Sequence, residues 1–164
     1  MKHVHTFVEE VNPIIAQAAM EPDQTSWLDE LRSGVHRLEG RLGGMTQTAS
    51  QLVKAAESAS TVDHSELEDM VQLVEKLEHS LAADLSRLRL EQDRWADLLH
   101  RHPHGVRRRS SQLVGRLEDA MARTAEAIRD ARWRLLAVQA QIDEEGTAPI
   151  FDDPDALERY LGSG

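Results

Sequence analysis

The chain has 164 residues, a formal net charge of -10, 4% aromatic residues and no cysteine. These figures exclude a disulfide framework, a thiolate metal site and a cysteine nucleophile, and they oppose general nucleic-acid binding, which needs many cations on one face. The length suits one domain with a continuous core, and Ala, Glu, Leu, Lys and Arg together make up roughly 45% of it, a composition typical of long helices.

The opening stretch MKHVHTFVEEVNPII places Glu9, Glu10 and Pro13 among its apolar residues, unlike the apolar region of a signal peptide. No run of about 18 apolar residues occurs anywhere, so a cytoplasmic protein without a membrane span is expected. Residues 1–21 read as an N-terminal amphipathic helix, because Val4, Phe7, Val8, Val11, Ile14, Ile15 and Ala18 recur at helical spacing. Pro13 should bend or break it.

Residues 22–146 read as a three-helix coiled-coil bundle. In the first long helix, Leu31, Val35, Leu38, Leu42, Met45, Ala49, Leu52, Ala56 and Ala59 alternate steps of four and three and form one seam. Ser26 with Asp29 resembles a capping box at its start. Gly34, Gly40, Gly43 and Gly44 lie inside this helix but off the seam, so close helix approach is not their evident purpose and packing must offset their low helix propensity.

A second helix follows the cap signal of Asp63 and Glu66, with Leu67, Val74, Leu81, Leu88 and Trp95 recurring every seven residues. Met70, Leu77 and Leu98 support the stripe, Asp84 and Glu91 interrupt it, and Val71, Leu85 and Leu99 widen it. A third helix carries Val114, Met121, Ile128, Leu135 and Ile142 at the same spacing and stops near Gly146, before Pro149. The predicted fold class is all-α: an elongated antiparallel three-helix coiled-coil bundle with a short N-terminal and a short C-terminal helix. Residues 147–164 form an acidic tail, in which Asp153 and Pro154 signal a short helix carrying Leu157 and Leu161.

No glycine-rich phosphate loop, His-Glu-x-x-His pair or nucleophile elbow is present, so no enzyme activity and no cofactor are expected. His100, His102 and His104, with His3 and His5, are the best candidates for metal ligands. Arg101 and Arg107 to Arg109 work against cation capture there, and a proline-glycine turn made by Pro103 and Gly105 is the simpler reading. The same arginines, Arg101, Arg107, Arg108 and Arg109, stand near a helix start, where the macrodipole disfavours them. They suggest an anionic partner, such as the acidic tail of a second molecule, more than DNA or RNA. Arg108-Arg109 before Ser110-Ser111 also matches a basophilic phosphorylation pattern.

Trp27 and Trp95 should pack at the hairpin-tip end, whereas Trp133 falls opposite the third seam beside Leu136, Ala137 and Ala140. Trp133 therefore needs a cover: the N-terminal helix, the Ile150, Phe151, Leu157, Tyr160 and Leu161 segment, or another protein. The stretch LEDAMARTAEAIRDARWRLLAVQAQIDEEG, followed by IFDDPDALERYL, resembles the flagellar export chaperones that escort hook-filament junction proteins. It lacks the asparagine-bearing segment of that family's last long helix, having ARWRLLAVQAQ instead. The resemblance implies a non-enzymatic chaperone whose final helix and tail grip an amphipathic cargo helix through Trp133, Leu136 and Ala140. A structural scaffold or homo-oligomer built on the same seams is the alternative, since heptads specify a helical interface and not whose helix fills it.

Overall fold

Apolar side chains recurring every three or four residues can leave water only if the backbone is helical and the stripe meets another stripe. The computed structural model describes residues 6–59 and 62–146, the last two of these by backbone alone. Within them lie four helices and no strand: α1 Phe7–Met20, α2 Trp27–Ser58, α3 His64–Leu98 and α4 His104–Gly146. None is long and apolar enough to cross a membrane.

The seven-residue stripes supply the core. Leu67, Val74, Leu81, Leu88 and Trp95 of α3 are buried, as are Val114, Met121, Ile128 and Leu135 of α4. On α2 the buried set is Leu31, Val35, Leu38, Leu42, Ala49, Val53 and Ala56, while Met45 and Leu52 are only half-buried and Ala59 is exposed. Most of the described core is aliphatic, which follows from the scarcity of aromatic residues.

Packing is shared unequally. α4 lies along both α2 and α3, which touch each other at only a few positions, and α1 lies along α2 and α3 without touching α4. In cross-section α4 and α1 therefore occupy opposite corners, with α2 and α3 between them. α2 and α4 run the same way, since Glu39 pairs with Arg116 and Glu57 with Arg134. α3 runs against α4, because Arg89 pairs with Glu118 and Glu78 with Arg129.

Two local readings of the sequence need correction. Ser26 has helical backbone geometry and makes no side-chain cap, so the turn before α2 is closed by backbone bonds such as Asp29 N–H to the Ser26 carbonyl. Gly105 lies inside α4, and no glycine among the described residues has a positive φ, so the reversal is made by residues 99–103 alone. Gly34 is buried beside α1, with Ile14 Cδ1 3.6 Å from where its Cβ would stand, an ordinary van der Waals distance. Gly40, Gly43 and Gly44 face open space.

The N-terminal helix begins later than its apolar pattern suggested. Thr6 and Glu9 form a reciprocal capping box that fixes the start at Phe7, and α1 then continues through Pro13 to Met20. Pro13 is exposed, so its missing N–H and its ring fall on the solvent side. Asp63 accepts a hydrogen bond from the Ser65 N–H and caps α3.

Ion pairs fasten α4 to both neighbours. Arg116 donates to Glu39 at 2.6 Å, and Glu118 accepts from Arg89 at 2.8 Å and from Gln92 at 2.9 Å. The hydrogen bond from Arg116, reinforced by its charge, holds the Glu39 carboxyl below its ordinary 4.5 against the opposing effect of burial. Gln92 first and Arg89 second do the same for Glu118. A carboxyl depressed in the folded state stabilises folding above its unfolded value, and that contribution is lost as pH falls through the lower folded value. Partly exposed pairs of this kind contribute under about 1 kcal/mol each. Denaturant titrations should therefore show stability falling from about pH 5 to about pH 3, with a flatter profile for the Glu39→Gln/Glu118→Gln double variant.

Candidate functional site

The seat of α1 is the best-defined surface feature, because three polar contacts hold it in the groove between α2 and α3. Asp84, which breaks the stripe of α3, is buried and accepts the Phe7 N–H at 2.7 Å; its second oxygen has no partner. The interruption in the heptad pattern is thus the acceptor for the first turn of α1. Asn12 Oδ1 accepts from the Trp95 indole at 2.9 Å and from Arg94 at 2.7 Å. At the far end, His102 is 3% exposed and lies 2.8 Å from the Ala18 carbonyl through Nε2, edge-on to Trp27. A carbonyl only accepts, so Nε2 carries the proton.

Apolar contact adds to these bonds. Phe7, Val8, Val11, Ile15 and Ala18 are all buried, and Arg41 stacks over the Phe7 ring at 4.9 Å. The groove thus holds an amphipathic helix by its apolar face and by polar groups at both ends. α1, however, reaches only part-way along α2 and α3.

Beyond Phe7 the groove stays open as a cleft of about 580 Å³. Met45 and Thr48 of α2 face Leu73, Leu77 and Leu81 of α3 across it, with Asp84 and Phe7 closing one end. Leu73 is 43% exposed, and Met45 and Leu77 are half-buried. From Asp84 back to Leu73 the cleft follows about 16 Å of α3, or three turns of helix. Gly44 lines it without a side chain.

The sequence reading missed this site. Met45 and Leu77 were assigned to seams, and Leu73 belongs to no seam. Its one legible signal is Gly44, which lines the cleft together with the unassigned Leu73.

The sequence-derived candidates are scattered. Trp133 is 61% exposed on α4, Leu136 is half-buried, Ala137 and Ala140 are exposed, and the Arg132 guanidinium stacks 5.3 Å from the Trp133 ring. α1 does not cover Trp133, because it packs on α2 and α3 at the corner away from α4. Ile150, Phe151, Leu157, Tyr160 and Leu161 lie outside the described residues, as do His3 and His5. The three tip histidines do not converge: His102 is turned inward to Ala18, His100 Nδ1 lies 2.8 Å from the Asp97 carbonyl, and His104 opens α4. No metal-competent cluster of three or more His, Asp or Glu occurs among the described residues. Ser110 is 3% exposed and Ser111 is exposed, so a kinase would reach only the second without local unfolding.

Comparisons with protein-family models, curated proteins and solved structures find no match to this chain.

The exposure of Trp133 can be checked directly. The Trp133→Ala variant should lose the acrylamide-quenchable part of the tryptophan fluorescence, leaving the shielded signal of Trp27 and Trp95. Its stability should stay within about 0.5 kcal/mol of the parent.

Proposed function

We propose that this protein is a non-enzymatic protein-binding module that docks an amphipathic helix of a partner. The working frame is the antiparallel coiled coil of α2, α3 and α4, and the mode of action is that of an export-chaperone-like adaptor. The observation that carries the reading is α1: the α2/α3 groove already holds one amphipathic helix, and its continuation is open, apolar and about three turns long.

Charge narrows the partner. Glu66 and Asp69, seven and four residues before Leu73, continue its face of α3 towards the helix start with exposed acids, so a helix with a basic polar face fits better than an acidic one. The chain's net charge of -10 favours the same class at longer range. The cytoplasm, where the absence of cysteine is natural, is the proposed location.

Gly44→Leu offers a test that spares the fold. A leucine there projects into the open cleft, while leucine has the higher helix propensity by about 0.8 kcal/mol. A fluorescent 18-residue basic amphipathic peptide, about 27 Å long as a helix, should bind the parent chain at micromolar concentration. Gly44→Leu should weaken it at least about tenfold with no fall in Tm. Binding that survives Gly44→Leu but is lost in Trp133→Ala/Leu136→Ala would move the site to the outer face of α4. Binding retained after deletion of residues 2–5, which precede Thr6 at the cleft edge, would show that this segment is not the receptor. No binding of the peptide by the parent chain would defeat the proposal.

A further inference from the structure

A second cleft, of about 620 Å³, lies at the opposite end of the molecule between the last turns of α3 and the first turns of α4. Its floor is Trp95, Leu99 and Val114, and its rim carries Arg107 and Arg108. Ser110, which is 3% exposed, also lines it. The site is thus an apolar floor under a cationic rim.

Unpaired cations are concentrated at this end; Arg32, Arg87 and Arg123 also lack a carboxylate partner among the described residues, but they are separate in sequence. Arg37, Arg41, Arg89, Arg94, Arg116, Arg129, Arg132 and Arg134 each pair with a carboxylate. Arg101, Arg107, Arg108 and Arg109 have no carboxylate within 4.0 Å among the described residues. The first turn of α4 contains no acid, so the positive end of a 43-residue helix stands unopposed beside three of these cations. Such an arrangement opposes folding of the isolated chain and is relieved by a bound anion.

We infer that the tip cleft receives the acidic C-terminal segment, residues 147–164, of a second copy of this chain. The segment pairs Asp152, Asp153, Asp155 and Glu158 with Ile150, Phe151, Leu157, Tyr160 and Leu161 against one cation, Arg159, matching a cationic rim over an apolar floor. The first residues of the chain's own segment, Ile150 to Asp153, are excluded by distance. From Gly146 back to Gln112, α4 spans about 51 Å, whereas Phe151 lies five residues past Gly146 and can travel only about 18 Å. A tip that binds the far end of another molecule makes a head-to-tail contact, which propagates into chains or rings instead of stopping at a two-fold dimer.

The test is sedimentation equilibrium of the full chain at rising concentration and two salt levels. At low salt the weight-average mass should climb above the 18.4 kDa of one chain, and at about 0.5 M salt it should return towards that value. Arg107→Glu/Arg108→Glu should hold the mass at one chain. It introduces acids where a helix N-terminus favours them, so retained helicity is expected and circular dichroism checks it. Adding Asp152→Arg/Asp153→Arg to that variant should restore association. A parent chain that stays at 18.4 kDa throughout overturns the inference, as does undiminished association of Arg107→Glu/Arg108→Glu or a charge swap that restores nothing. Retention on duplex DNA that disappears in Arg107→Glu/Arg108→Glu, without self-association of the parent, would instead assign the patch to nucleic acid.

Discussion

The structure depends on α4 acting as the common packing partner of α2 and α3. Each of those helices gives its best stripe to α4 and only brushes the other, so the pair is held apart. Two helices held apart on one side leave a groove on the other, and an apolar groove in water attracts a helix. α1 answers part of that demand. The fourth corner of the bundle is therefore built for roughly half the length, and an apolar cleft is left open beyond it.

Asp84 shows how the partial occupancy is fixed. An acid in the middle of a hydrophobic stripe is costly unless it is satisfied, and here the first N–H of α1 satisfies one of its oxygens. The same residue marks where α1 begins and where the open cleft ends. Thr6 and Glu9 reinforce the boundary from within the helix itself. Together they define the register of α1, and with it the length of groove left free.

Arginines are mostly paired along the shaft and cluster without acids at the tip. Along the shaft, arginines from α4 reach carboxylates on α2 and α3, and arginines of α2 reach Glu10 of α1, so the charges serve as lateral fastenings. At the tip, Arg107, Arg108 and Arg109 pair with no carboxylate among the described residues and crowd a helix end that repels them. His102, one of three histidines whose alternation suggests a metal clip, is spent on the Ala18 carbonyl and on Trp27, which leaves the cationic character of the tip to the arginines.

Much of this was legible in the sequence, for a physical reason. Leu67, Val74, Leu81, Leu88 and Trp95, with Val114, Met121, Ile128 and Leu135, could be assigned to a core by spacing alone, because helical periodicity decides which residues share a face. The same local logic identified the cap at Asp63 and the inward placement of Trp27 and Trp95. Where neighbours in space are distant in sequence, local logic had no purchase. Asp84 looks like a defect until Phe7 arrives, and Leu73 belongs to no stripe. The sequence by itself determined the helices and their buried faces, since both follow from periodicity along one segment. Only the tertiary structure decided that α2 and α3 stand apart, that α1 fills part of their groove, and that a cleft remains, because these depend on which stripes pair and how far each helix reaches.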